Sequence, residues 1–254
     1  MAGSRGSAPT SLPNSAASPP DRAPGAAAAR PHRQFWGRHR GHRLSPSQQR
    51  LIDDLLPRVA VTLDADRPLD PAPLFVPAAA AVWLEIGFGG GEHLAAQAAR
   101  YPAVGLIGCE PYVNGVAQLL VRIRDQKLGN VRVFADDAHR LVAALPNRSL
   151  ARIFLLFPDP WPKRRHHKRR FIRPETVATF ARILAAGGEL RVATDHPALG
   201  RWALFHVLAQ GDFAWPAQSA ADWRTPPADW VETRYEAKAK ADGSVIYYLR
   251  FFRR

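Results

Sequence analysis

Beyond residue 80 the hydrophobic positions follow two alternating patterns. Short, nearly continuous apolar runs occur at 82–88, 104–110, 131–135, 152–157 and 189–194, and they end in acidic or glycine-rich turns. Runs of this length and composition predict strands buried on both faces of a sheet. Between them, at 92–100, 113–126, 138–145, 174–186 and 198–210, apolar residues recur at the three- and four-residue spacing of helices. Strands alternating with helices predict an α/β fold, a doubly wound and mostly parallel sheet. The end differs: "WVETRYEAKAKADGSVIYYLRFFRR" offers two strands around Asp242-Gly243, a strong turn signal, so the sheet should finish in an antiparallel hairpin.

Upstream, "LSPSQQRLIDDLLPRV" predicts a helix. Ser45 suits its N-cap, Pro46 its first turn, and Leu51, Ile52, Leu55 and Leu56 recur at helical spacing. Residues 1–31 are rich in Pro, Ala, Gly and Ser and bury too little apolar area to offset chain entropy, which predicts a disordered tail. Its Arg5, Arg22 and Arg30 hint at a transit peptide, but its prolines oppose the helix such a peptide needs. We therefore expect one domain over 32–254, led by a basic arm that includes Phe35 and Trp36.

Charge changes the picture more than hydropathy does. Thirty-five Lys and Arg oppose 22 Asp and Glu, a net charge of +13 that favours polyanions, nucleic acid first. The single cysteine, Cys109, excludes a disulfide framework or a cysteine-based zinc site within one chain and suits a reducing cytoplasm. The longest apolar stretch, 75–84, is too short to span a membrane and contains Pro77.

Candidate chemistry gathers where strands end. "WLEIGFGGGEHL" places Glu85, Gly87 and Gly89 where the first strand meets the first helix, a loop that can approach a ligand closely. A dinucleotide fingerprint would need glycine at position 92, where Glu92 stands instead and would face a pyrophosphate. That argues against a nicotinamide cofactor and for a nucleoside without phosphates, such as S-adenosylmethionine. Glu110 ends the second strand, where a carboxylate can accept from ribose hydroxyls. Asp136 and Asp137 end the third; one could meet an adenine and the other cap the next helix.

The fourth strand ends in "FPDPWPKRRHHKRR". Ligands of open α/β sheets lie beyond the carboxyl ends of the strands, so Asp159 should emerge at the crevice, with Pro158 and Pro160 restricting the backbone around it. The cations that follow, from Lys163 to Arg173, would repel one another without an anion and suit nucleic-acid phosphate. His166 and His167 lack a third ligand and suit phosphate better than metal. Trp83, Trp202, Trp215, Trp223 and Trp230 are expected to be packing residues rather than base-stacking platforms.

With "EIGFGGG", "GCEP" and "ATDH", this string resembles the bacterial tRNA (guanine-N7)-methyltransferases over residues 33–254. The resemblance implies a Rossmann-like class I methyltransferase fold, S-adenosyl-L-methionine as cofactor, and tRNA methylated at N7 of the variable-loop guanine, position 46. Carried over by motif, Glu85, Gly87, Gly89, Glu110 and Asp137 would bind the cofactor and Asp159 would be catalytic. Lys163, Asp195 and the string Thr233, Arg234, Tyr235 and Glu236 would bind substrate. Arg164, Arg165, Lys168, Arg169 and Arg170 would contact RNA phosphate. A cytoplasmic monomer is expected, without metal or membrane association. Two other readings compete: a non-catalytic RNA-binding protein on the same fold, and a methyltransferase for another substrate. The glycine loop and strand-end acids weigh against the first.

Overall fold

A computed structural model describes Gly37 and residues 39–254. The tail and the aromatic part of the basic arm, with Phe35 and Trp36, lie outside the described residues. Helix α1 (Pro46–Asp54) begins as its sequence dictates: the Ser45 hydroxyl accepts from the Gln48 N–H and the Gln48 side chain accepts from the Ser45 N–H, a complete capping box. After the short α2 (Leu56–Val59), the chain crosses the sheet edge through Val61, whose N–H donates to the Val133 carbonyl.

The sheet is then built by alternation: β1 (Ala81–Ile86), α3 (Glu92–Arg100), β2 (Val104–Cys109), α4 (Val113–Asp125), β3 (Val131–Phe134), α5 (Ala138–Ala144), β4 (Leu150–Leu156), α6 (Pro174–Ile183), β5 (Leu184–Thr194) and α7 (Pro197–Ala209). The two-residue β6 (Phe213–Ala214), short α8 (Ala221–Arg224), α9 (Arg234–Ala241) and β7 (Tyr247–Arg253) finish it. Strand order is β3-β2-β1-β4-β5-β7-β6. β1 to β5 pair in parallel, whereas β7 runs antiparallel to both β5 and β6.

Alternate residues of each strand feed two cores. Leu84, Ile107, Ile153 and Val192 pack with Leu141 of α5, Phe180 of α6 and Val207 of α7 on one face. Trp83, Leu106 and Phe154 pack with Leu94 of α3, Leu119 and Leu120 of α4 and Ala239 of α9 on the other. Covering both faces is what makes the parallel strands continuously apolar. The five expected tryptophans are all built into these cores or pack against them.

The final hairpin is a correction. Residues 234–241 form α9 rather than a strand, and Gly243, at φ +73°, ends that helix. The antiparallel partners of β7 are instead β5 and the two-residue β6. No helix among the described residues is long and apolar enough to cross a membrane.

Candidate functional site

The chain leaves β1 toward β2 on one side and β4 toward β5 on the other, so the order reverses between β1 and β4. A crevice opens above such a reversal, at the carboxyl ends of the strands. The β1 loop enters it. Gly89 has φ +56°, a conformation that L side chains rarely adopt. Its N–H donates to Glu110 Oε2 at 2.9 Å, and the Tyr112 N–H donates to Glu110 Oε1 at 3.0 Å. Gly115, in the first turn of α4, lies so close to the Gly89 carbonyl that any side chain there would collide with it. Loop, carboxylate and helix start are thus locked together, and the space beside Gly87 stays open.

Glu110 is buried, and burial pushes its carboxyl above the ordinary value. The backbone N–H groups of Tyr112 and Gly89 pull it down, Asp159 adds to the rise, and Arg234 opposes it. Each of its oxygens accepts one backbone bond and keeps a lone pair for another donor, which fits the paired hydroxyls of a ribose. The open glycine loop beside this acceptor pair suits a nucleoside. At the start of α3, Glu92 binds Arg122 at 3.2 Å, so a carboxylate occupies the place where a dinucleotide fold needs its third glycine. From the far end of the chain, α9 brings Arg234 and Tyr235 against Gly89: a Cβ there would come within 3.2 Å of the Tyr235 ring. The expected site residues Arg234, Tyr235, Gly89 and Glu110 are therefore neighbours.

Asp159 emerges from β4, across the reversal. The Phe157 N–H still donates to the Ala193 carbonyl of β5 at 2.8 Å, and the chain then turns sharply. Phe157 (φ +50°) and Trp161 (φ +41°) bracket Pro158-Asp159-Pro160 in the left-handed region. Each such residue costs on the order of 1–3 kcal/mol, a strain that the surrounding structure must hold. Asp159 itself is exposed. Asp195, also exposed, follows the neighbouring β5, where the Thr194 hydroxyl accepts from the His196 N–H at 3.1 Å.

The basic run forms a 3-10 helix, Arg164–Arg169. Lys163, Arg164, Arg165 and Lys168 face solvent. Arg169 is half-buried, its guanidinium 4.8 Å from the centre of the Trp161 ring. Desolvation, then the charges of Arg169, Arg165, Lys163 and Lys168, lower the pKa of His166, whose Nε2 accepts from Arg165 Nε at 3.3 Å. The His167 ring packs edge-on against Trp202 at 5.3 Å.

Arg170 corrects the sequence reading. It was expected at phosphate, yet it is only 3% exposed and turns inward. Glu85, at the crevice end of β1, is buried: its side chain, 3% exposed, lies 2.7 Å from His93 Nδ1 and holds α3 to β1. Glu236 is fully buried and accepts from Trp230 Nε1 at 2.6 Å, Tyr248 Oη at 2.5 Å and Lys240 Nζ at 2.8 Å, so it anchors α9. Thr233 caps that helix, its hydroxyl accepting from the Glu236 N–H. Asp137 caps α5 by accepting from the His139 N–H at 2.9 Å, and Asp136 pairs with Arg140 on the surface. What sequence reasoning missed entirely is Asp229. It accepts from Arg152 and Arg191 and so ties the segment leading into α9 down to the sheet; no local signal marks it.

The family model described as "Putative methyltransferase" matches residues 79–249. The tRNA (guanine-N(7)-)-methyltransferase of Rhodospirillum rubrum is 51% identical over 225 residues, 87% of this chain and 88% of that protein. The enzyme of the same name from Nitrobacter hamburgensis is 50% identical over 219 residues, 86% of each chain. Among solved structures, the 16S rRNA methyltransferase KamB aligns with 69% of this chain and 88% of its own at 15% identity and a TM-score of 0.48. On the match to the family model and the identity to these relatives, the chain belongs to the tRNA (guanine-N(7)-)-methyltransferase family.

Proposed function

We propose that this protein transfers a methyl group from S-adenosylmethionine to N7 of guanine 46 in the variable loop of tRNA. The observation that carries the reading is the convergence at one crevice of the Gly89–Glu110 pair, the constrained Asp159 turn and the exposed cations after it, in a chain of this family. Gly87, Gly89 and Glu110 would hold the nucleoside, with Arg234 and Tyr235 closing over the glycine loop. When bound, the cofactor supplies an electrophilic methyl group.

Guanine N7 carries its lone pair in the plane of the ring, so no proton has to leave before it attacks. The protein's work is alignment and tolerance of the positive charge that develops on the purine. Asp159 can accept from guanine N1–H and N2–H, which fixes the base, and its charge offsets the developing cation. Lys163 and Asp195, both exposed, would complete the substrate side. Purified protein given labelled S-adenosylmethionine and unmodified tRNA should yield labelled 7-methylguanosine on digestion, and a transcript with adenine at position 46 should yield none. Label in another nucleoside would overturn the substrate assignment.

Lys163, Arg164, Arg165 and Lys168 are the cations of the run free to meet phosphate. Four such contacts should give tRNA affinity a slope of roughly three log units per log unit of salt, at about 0.7–0.9 per contact. Replacing all four by alanine should flatten the slope by that amount; an unchanged slope would place the phosphate grip elsewhere.

A further inference from the structure

We propose that Arg170 is a positioning residue for methyl transfer: it holds the turn that presents Asp159. Its Nε donates to the Pro160 carbonyl at 2.9 Å, and its Nη2 lies 3.4 Å from the Trp161 carbonyl. These carbonyls lie at the second bend of the Asp159 turn, where Trp161 takes its left-handed φ. The first bend is already fixed, because the Phe157 N–H belongs to the sheet. Between the two anchors Asp159 carries the only polar side chain, since both its neighbours are prolines.

The arginine is itself built in. Its guanidinium stacks 4.7 Å from the centre of the Trp202 ring, and Trp202 Nε1 donates to the Ile172 carbonyl at 2.6 Å. Its own N–H closes onto the His167 carbonyl at 3.0 Å. Among the described residues its guanidinium pairs with no carboxylate. A cation buried without an anion is costly unless its donors are used, and carbonyls of a strained turn are the acceptors it has found. Burial lowers its pKa from the ordinary guanidinium value, which agrees with that environment. The fork of donors suits the task as a lysine would not, because one planar group reaches two successive carbonyls and stacks on an indole. The basic run thus serves two purposes: residues at its start face outward, and Arg170 at its end faces back to the reacting centre.

The inference rests on the assignment of Asp159 to the guanine. Its test is the full-length enzyme with Arg170→Ala and Arg170→Lys, assayed for kcat, KM for tRNA, tRNA binding across a salt series, and thermal melting. Displacement of a group by about 1 Å costs on the order of a hundredfold in rate, so kcat should fall by about tenfold to a hundredfold in both variants. Affinity for tRNA and its salt slope should stay within about twofold of wild type. The lysine variant keeps the charge and decides the matter alone if the alanine variant does not fold. A kcat within about threefold of wild type in the lysine variant overturns the inference. So does a loss of tRNA affinity with a flatter salt slope, the mark of a phosphate contact. The wild type run alongside separates the readings: no 7-methylguanosine from it overturns the proposed function together with this inference, whereas a productive wild type matched by Arg170→Lys overturns the inference alone.

Discussion

Replacing Asp159 by asparagine is expected to lower kcat for methyl transfer by about a hundredfold to a thousandfold and to change tRNA affinity little. The size follows from losing one preorganised electrostatic partner of a charge that forms in the transition state. The substitution keeps the shape but removes the negative charge and replaces one acceptor oxygen with a donor that would face the donors of guanine. The ground-state complex should survive, because the exposed cations of the basic run hold the RNA by its phosphates. Single-turnover rates with saturating tRNA measure the effect directly. A rate within about threefold of wild type would show that Asp159 neither orients the base nor offsets its charge.

The place of this candidate site in the fold is legible in the sequence. Strand ends could be placed because five apolar runs stop at turns, and the ends of parallel strands are where such sheets bind ligands. Glycine and proline rules marked the loops after β1 and β4. What escaped was direction. Seven cations between positions 163 and 173 look alike in sequence; only the tertiary structure turns Arg170 inward onto Trp202 while Arg165 faces solvent. Glu85 stands one residue before the end of β1, and alternation along the strand carries its side chain to His93.

The C-terminal error has a similar cause. Thr-x-x-Glu at 233–236 is also the spelling of a helix N-terminus, and the Thr233 hydroxyl does accept from the Glu236 N–H. The Asp242-Gly243 turn signal was strong but local. Burial of Glu236 under Trp230 and Tyr248 outweighed it and made the preceding segment a helix. Arg234 and Tyr235 reach the glycine loop because that helix starts where it does.

The largest stability effect is expected from Glu189→Ala. Glu189 lies in β5, buried, and binds three guanidinium groups: Arg191 Nη2 at 3.0 Å, Arg152 Nε at 2.8 Å and Arg250 Nε at 2.6 Å. Asp229 shares two of them, accepting from Arg191 Nη1 at 3.0 Å and Arg152 Nη1 at 2.8 Å. Arg191 is 1% exposed, and with Glu189 gone it would keep a single carboxylate for a charge that water cannot reach. Breaking one side of a buried pair costs about 3–5 kcal/mol, a large share of the roughly 5–15 kcal/mol that holds a domain folded. Urea unfolding should show the loss as a lower midpoint; a loss below about 1 kcal/mol would mean that Asp229 alone suffices. The acid limb gives an independent check. Burial would raise the pKa of Glu189, but the charges and hydrogen bonds of its arginines overcome this and hold it below its ordinary value of 4.5; Asp229 is likewise held below 3.8. A carboxyl with a depressed folded pKa contributes its full stability above the unfolded value and loses it as pH falls through the folded one. Wild-type stability should therefore decline as pH drops below the mid-4 range, and Glu189→Gln should decline less steeply there.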